Sequence, residues 1–192
     1  EIRTPLNAIL GFSSLLNREN ISNEQRQKYV ELIQIGGSRL LRILTDVADM
    51  SKLDTKQFSL IYDNCNLNAL IRNLVTQFKL TADQAQCRIE VAFGLSDFES
   101  ELLSDETRLM QILSNLIVNA LRYTKMGTIS VGYVLEGKTL QFFVKDTGIG
   151  IAKKHHKKIF DRFVQVENSN NSGTGLGLSI IKEIIELMSG EI

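Results

Sequence analysis

The chain has little cysteine, histidine or proline, two, two and one in 192 residues, and no excess of charge of either sign. Cys65 and Cys87 lack metal-ligand spacing and are too few for a disulfide framework, so both are expected reduced, in a reducing compartment. Lys plus Arg and Asp plus Glu are 22 each, so no broad field draws the chain to nucleic acid or an anionic membrane. No apolar run approaches the roughly 18 residues of a spanning helix and no signal peptide is visible, so this piece is expected to be soluble. Two phosphate-binding loops are also missing. There is no Gly-x-x-x-x-Gly-Lys-Ser/Thr, and Gly173-Thr-Gly175-Leu-Gly177 is G-x-G-x-G rather than the dinucleotide fingerprint.

What is present is ordinary globular material, 43% hydrophobic, which excludes a disordered chain. Apolar residues return at helical spacing through Ile2, Leu6, Ile9, Leu10 and Leu16, then give way to polar Asn17 to Asn23. A second helix carries Val30, Ile33, Leu40, Leu41, Leu44, Val47, Met50 and Leu53 on one broad face. The short connection makes the two helices antiparallel neighbours. Two helices alone leave the outer halves of both stripes in water. The hairpin therefore either pairs with a second copy in a four-helix bundle or folds back on the rest of the chain.

Beyond Leu53 the rhythm changes. Phe58 to Tyr62 reads as a short strand, Asn66 as the cap of a helix bearing Leu70, Ile71, Leu74, Val75, Phe78 and Ala82, and Arg88 to Phe93 as a half-buried strand. Ser104 is the expected cap of the next helix. Thr128 to Leu135 and Thr139 to Lys145 form a hairpin about Glu136-Gly137, and a last helix runs from about Gly177 to Met188. This order predicts one sheet covered on one face by helices. The chain is thus expected to be α+β, a helical hairpin over residues 1–54 and an α/β two-layer sandwich over residues 55–192. Gly190-Glu191-Ile192 reads as a turn entering a further strand, so the sheet is expected to lack its last strands here.

Three patches carry the chemistry: Asn115-Leu-Ile-Val-Asn119-Ala120, Asp146-Thr-Gly-Ile-Gly150 and Gly173-Thr-Gly-Leu-Gly-Leu178. On the helix from Asp105 to Tyr123, Arg108, Gln111, Asn115, Asn119 and Arg122 make one polar stripe flanked by apolar residues. Asparagine is a poor helix former, so this stripe is either a solvated face or a source of amide oxygens for Mg²⁺, which needs few protein ligands. Asp146 ends an apolar strand and precedes two glycines. It either caps a tight turn or accepts a hydrogen bond from the exocyclic amine of adenine. Gly175 and Gly177 place unsatisfied backbone N–H groups at the start of the last helix, a site for phosphate. Between the glycine clusters, Ala152 to Ser172 is polar with an apolar patch of Ile159, Phe160 and Phe163, either a lid or a surface loop with its own small core. His155 and His156, flanked by Lys153, Lys154, Lys157 and Lys158, read as solvated.

In this order the motifs resemble the sensor histidine kinases of two-component signalling over essentially the whole chain. Glu1-Ile-Arg-Thr-Pro-Leu-Asn7 is similar to the end of the phosphoacceptor box, Asn115 to Thr124 to the asparagine box, and the two glycine clusters with Phe160 and Phe163 to the boxes framing the ATP lid. The resemblance implies a dimerisation and histidine-phosphotransfer hairpin joined to a Bergerat-type ATP-binding domain. It implies that Asn119 ligates Mg²⁺, that Asp146 reads adenine with Gly148 and Gly150 lining the base, and that Gly173, Thr174, Gly175, Leu176 and Gly177 meet the phosphates of ATP. Tyr123 would lie near the nucleotide. Arg122 stands where the family commonly has lysine, and its planar fork does not contact phosphate as a point charge does.

The family's phosphorylated histidine immediately precedes the glutamate matched by Glu1, so the acceptor is expected just upstream. Glu1 would take the imidazole proton, and Asn115 would orient it. Thr4 matches a position that places water for dephosphorylating a partner; the other reading has Thr4 cap a helix beginning at Pro5. The implied function is ATP-dependent histidine autophosphorylation, then transfer to an aspartate of a response-regulator receiver, with a phosphatase activity toward that regulator. The implied partners are a second copy through the hairpin and the receiver, and the implied compartment is the cytoplasm, with the parent protein anchored or not. The rival is a nucleotide-binding dimerisation scaffold without phosphotransfer.

Overall fold

The computed structural model describes residues 2–18, 21–55, 57–164 and 175–192. The chain divides into two compact units, Glu1–Phe58 and Ser59–Ile192.

The first unit is the expected helical hairpin, α1 (Arg3–Leu16) and α2 (Asn23–Asp54). The polar connection supplies the start of α2: Ser22 Oγ accepts from Gln25 N, and the Gln25 side chain accepts from Ser22 N, both at 3.1 Å, a reciprocal capping box. Ser22→Ala is expected to lower the stability of the hairpin by about 1 kcal/mol, read as a lower midpoint in a thermal melt followed by circular dichroism. Across the hairpin Phe12 stacks on Tyr29 with ring centroids 5.8 Å apart. Gly36 lies against Ile9 and the Pro5 carbonyl, bringing the helices close at that level. The inward face of α2 differs from the expected one. Gly36, Ile43, Asp46 and Asp49 are buried, whereas Leu41, Leu44 and Val47 stay exposed. An apolar stripe wider than one partner can cover leaves its far side in water. The helix α1 begins at Arg3, so Thr4 lies inside it and caps nothing. Pro5 is buried within α1.

The second unit runs β1 (Asp63–Asn66), α3 (Leu67–Gln84), β2 (Cys87–Ala92), β3 (Glu101–Ser104), α4 (Glu106–Tyr123), β4 (Gly127–Glu136), β5 (Thr139–Asp146), two short 3-10 turns at Lys153–His155 and Lys158–Phe160, and α5 (Gly177–Leu187). Two expectations about strands are corrected. Phe58 to Tyr62 is not a strand, because the Ile61 amide donates to Asp105 Oδ2 at 2.9 Å instead of to a ladder. The first strand follows it and pairs antiparallel with β3, a four-residue strand too short to show alternation. Among the described residues the strands therefore form two sheets rather than one, β1-β3 and β2-β4-β5, the latter with β2 parallel and β5 antiparallel to β4.

The caps follow the same logic. Asn66 Oδ1 accepts from Ala69 N at 2.8 Å and starts α3 as expected. The cap of α4 is Asp105, not Ser104: one carboxylate oxygen takes the Arg108 amide at 3.0 Å while the other takes the Ile61 amide, so one side chain fixes both segments. Leu67, Leu70, Ile71 and Leu74 of α3 and Leu113 and Ile117 of α4 pack on Ile129, Val131 and Tyr133 of β4, giving the unit its core.

Both cysteines are buried and free. Burial, and secondarily Glu106, pushes the Cys65 thiol from 9.0 up to about 11. A raised value means that its contribution to stability is complete below the unfolded thiol's range and is lost as pH rises through about 11. Iodoacetamide near pH 8 is expected to leave both thiols unlabelled in the native protein and to modify both after denaturation, counted by mass spectrometry.

Candidate functional site

The site is built around the C-terminal half of α4. The polar stripe foreseen on this helix is half-buried at Arg108, Gln111, Asn115, Asn119 and Arg122. Its first two members bond each other, Arg108 Nη1 donating to Gln111 Oε1 at 2.8 Å. Asn115 and Asn119 make no side-chain hydrogen bond among the described residues, so two half-buried amides are left for something else. Arg122 lies in the last turn, where the helix dipole favours a cation.

At that end of α4 the turn after β5 closes on the helix. Asp146 Oδ1 accepts from Gly148 N at 2.8 Å, a local bond that bends the chain immediately after the strand. Ile149 N donates to the Tyr123 carbonyl at 3.3 Å, and Gly148 lies so near the same carbonyl that a Cβ there would collide with it. Thr147 locks the turn to the start of β4: its amide donates to Thr128 O at 3.2 Å and its hydroxyl accepts from Thr128 N at 3.1 Å. Asp146 remains exposed, so the carboxylate is held in place without being used up. Gly150, at φ +67°, takes the chain away from this junction. The sequence signals Thr147 as a positioning residue only by its place between Asp146 and Gly148.

The other end of the site is the start of α5. Among the described residues no side chain caps it, so none of them supplies a side-chain acceptor for the first amides of the helix. Gly177 faces Asn115, and a Cβ at Gly177 would sit 3.7 Å from Asn115 Oδ1. Leu176 is only 2% exposed, so its side chain belongs to the core and only its backbone can meet a ligand. Gly175, at φ +66°, packs on the backbone of Phe163, whose N–H donates to Gly175 O at 2.9 Å; a Cβ would come within 2.8 Å of Phe163 Cα. Arg162 Nη2 pairs with Glu183 Oε1 of α5 at 2.8 Å. The two ends of the glycine-bounded segment are thus tied together. Phe160 is half-buried and Phe163 is 71% exposed. His156 is exposed, with Nε2 2.9 Å from Ile151 O, and His155 is half-buried rather than fully solvated.

The fold therefore gathers Tyr123, Asp146 and Gly148 at one point and Asn115, Gly175 and Gly177 at another. Eight residues of α4 separate Asn115 from Tyr123, about 12 Å at the helical rise. Asn119 lies between. Thr4 is exposed on α1, in the other unit. Glu1, Gly173, Thr174 and the segment 165–172 of the expected lid lie outside the described residues.

Residues 104–192 match the family model described as "Histidine kinase-, DNA gyrase B-, and HSP90-like ATPase", and residues 1–56 match "His Kinase A (phospho-acceptor) domain". Over its full length the chain is 38% identical to the sensor protein GacS of Pseudomonas syringae pv. syringae, of which it spans 22%. Among solved structures it is similar to full-length ShkA in complex with AMPPNP, with a TM-score of 0.74 and 31% identity over 97% of this chain and 39% of that one. It is also similar to the histidine kinase ThkA in complex with the response regulator protein TrrA, with a TM-score of 0.71 and 28% identity over 98% of this chain and 52% of that one.

Proposed function

The chain belongs to the sensor histidine kinases of two-component signalling, and we propose that it is the catalytic core of one, moving the γ-phosphoryl group of ATP to a histidine just upstream of Glu1 and then to an aspartate of a receiver domain. Hydrolysis of the receiver's phosphoaspartate is a second activity. One observation carries the reading: a fixed, exposed carboxylate at the C-terminal end of α4 and an α5 N-terminus that no described side chain caps, with two amides between them that bond no described residue.

That arrangement fits the group it is asked to hold. Gly148 packs too closely on the Tyr123 carbonyl for a Cβ, which fixes the turn that presents Asp146, and the α5 amides suit phosphate. Asp146 accepts from the exocyclic amine, Gly148 and Gly150 line the base, and Tyr123 and Arg122 flank the nucleotide. Gly173, Thr174, Gly175, Gly177 and the Leu176 backbone meet the phosphates. Among the described residues no three His, Cys, Asp or Glu side chains converge as a metal site, and Asn119 is assigned as the protein ligand of a Mg²⁺ held otherwise by phosphate and water. When bound, Mg·ATP supplies the transferable phosphoryl group, and the protein supplies position and charge.

Residues 1–54 form the dimerisation and phosphotransfer domain in this reading, and residues 55–192 the ATP-binding domain. Glu1 takes the proton of the acceptor imidazole, Asn115 orients the reacting groups, and Thr4 positions water for the phosphatase step. The homodimer forms through the hairpin, whose Leu10, Ile35, Leu41, Leu44 and Val47 are 49–66% exposed, a stripe that a four-helix bundle would cover. Among the described residues no helix is long and apolar enough to cross a membrane. The core works in the cytoplasm, where ATP is.

The test is transfer of label from γ-labelled Mg·ATP to a chain carrying the histidine upstream of Glu1. Acid-labile, base-stable label, lost when that histidine is replaced, is the expected result. Nucleotide binding without label would instead make the protein a scaffold.

A further inference from the structure

The turn between β2 and β3 is held more firmly than a surface connection requires. Ser96 donates to Glu99 Oε2 through its amide at 3.3 Å and its hydroxyl at 2.6 Å, and Glu99 N returns a bond to Ser96 O at 3.1 Å. The Asp97 carbonyl accepts from Asn66 Nδ2 at 3.2 Å and from the buried Ser100 hydroxyl at 2.9 Å. The Asp97 carboxylate takes Asn68 Nδ2 at 2.7 Å and Arg72 Nη2 at 2.9 Å, and Arg72 in turn lies over Phe93. One residue of this turn has no part in the framework: Phe98, 98% exposed. An aromatic ring presented on a pre-ordered turn has little left to lose in entropy on docking, as interface anchors require. Beside it stand the exposed carboxylates of Glu99 and Glu101, with no cation paired to either among the described residues, and Leu103, 66% exposed on the same outward face of β3 as Glu101.

The complementary surface lies at the other end of β4. Tyr133, near the far end of that strand, bonds Asn68 and through it the Asp97 turn, whereas Gly127 at its start lies against Thr147. Six residues of extended chain separate the two, about 20 Å. At the Gly127 end, Met126 (72%), Ile149 (73%) and Ile151 (46%) are exposed. His156 ties the turn of Lys153, Lys154, Lys157 and Lys158 to the Ile151 carbonyl, and residues 152–160 contain no carboxylate.

We propose that Phe98 of one copy, with Glu99 and Glu101, docks on the Met126, Ile149 and Ile151 surface and lysine turn of a second copy. The two surfaces sit at opposite ends of one compact unit, so a copy cannot satisfy its own, and the contact is heterologous, repeating from copy to copy. It is separate from pairing through the hairpin, and because Ile149 lies between Gly148 and Gly150 it borders the proposed nucleotide site. One aromatic anchor with a rim of solvated charges makes a small interface, below about 1,200 Å², with a dissociation constant on the order of 100 µM.

Sedimentation equilibrium of the full chain, from roughly 5 to 500 µM to bracket that constant, tests it. At low salt the weight-average mass is expected to keep rising beyond its low-concentration plateau, and high salt is expected to suppress the rise. Phe98→Ser, and separately Lys153, Lys154, Lys157 and Lys158 all replaced by glutamate, should each weaken the association at least about tenfold with an unchanged melting temperature. Mixing the two variants should restore it, since each keeps the surface the other has lost. A flat mass in the parent chain, a rise that survives Phe98→Ser, or a mixture that associates no better than its components would overturn the proposal.

Discussion

Asp146→Asn is expected to weaken ATP binding on the order of 100-fold without moving the unfolding transition, as measured by calorimetric titration alongside a urea melt. The substitution separates the two jobs of this side chain. Its structural job needs one oxygen, which accepts from Gly148 N at 2.8 Å, and an asparagine amide oxygen can do the same. Its recognition job needs a second acceptor for the exocyclic amine of adenine, and asparagine presents a donor there. Two donors facing each other leave the amine unpaired and desolvated, a penalty that a well-packed cradle cannot relax. Guanine carries a carbonyl at the corresponding position, so the variant's ratio of GTP to ATP affinity should rise. Unchanged ATP affinity would remove Asp146 from base recognition and leave it as a turn residue.

Asn68→Leu is expected to be the most damaging single change in the second unit, lowering its stability by about 2–4 kcal/mol out of a total that for most domains is about 5–15. Asn68 is 1% exposed and joins three elements. Its carbonyl accepts from the Tyr133 hydroxyl at 2.7 Å, and its amide donates to Leu95 O at 3.1 Å and Asp97 Oδ1 at 2.7 Å. Leucine has a similar volume, so the loss comes from a stranded phenol and carbonyl more than from a cavity. Adding Tyr133→Phe should recover part of the loss, since removing both partners strands nothing, and the double-mutant cycle measures that coupling. Additive losses would refute a Tyr133–Asn68 bond as the source. The same substitution should flatten the acid limb of stability. The Arg72 hydrogen bond, then that of Asn68, holds the Asp97 carboxyl below its ordinary range. Its contribution is present above the unfolded carboxylate's pKa and lost as pH falls through the lowered folded one.

Much of the fold was legible because periodicity reports which side of an element is wet. The helices of the hairpin, α3 with its Asn66 cap, the β4-β5 hairpin and α5 were all visible in that way. The misreadings share a cause. Phe58 to Tyr62 has the composition of a strand, but its Ile61 amide is claimed by Asp105, a residue 44 positions away, and no local pattern announces such a partner. The β3 strand was invisible because four residues carry too little alternation, and its pairing with β1 splits what looked like one sheet into two. In α2 the apolar residues were correctly found and their orientation was not, since a stripe wider than one neighbour does not say which half turns inward.

The candidate site divides along the same line. The sequence by itself determined the chemical types and their order: amides on one helix face, a carboxylate at a strand end, glycines at a helix start. Side-chain chemistry is local, and helical spacing alone places Asn115 and Asn119 one turn apart. Only the tertiary structure decided that Asp146 and Gly148 close on the Tyr123 carbonyl, that Gly177 comes to rest against Asn115, and that Thr147 pins the turn to β4. Those contacts join segments about 20 to 60 residues apart, and their geometry is set by how the packed core between α3, α4 and β4 orients each element, a property of all the buried side chains together and of no motif taken singly.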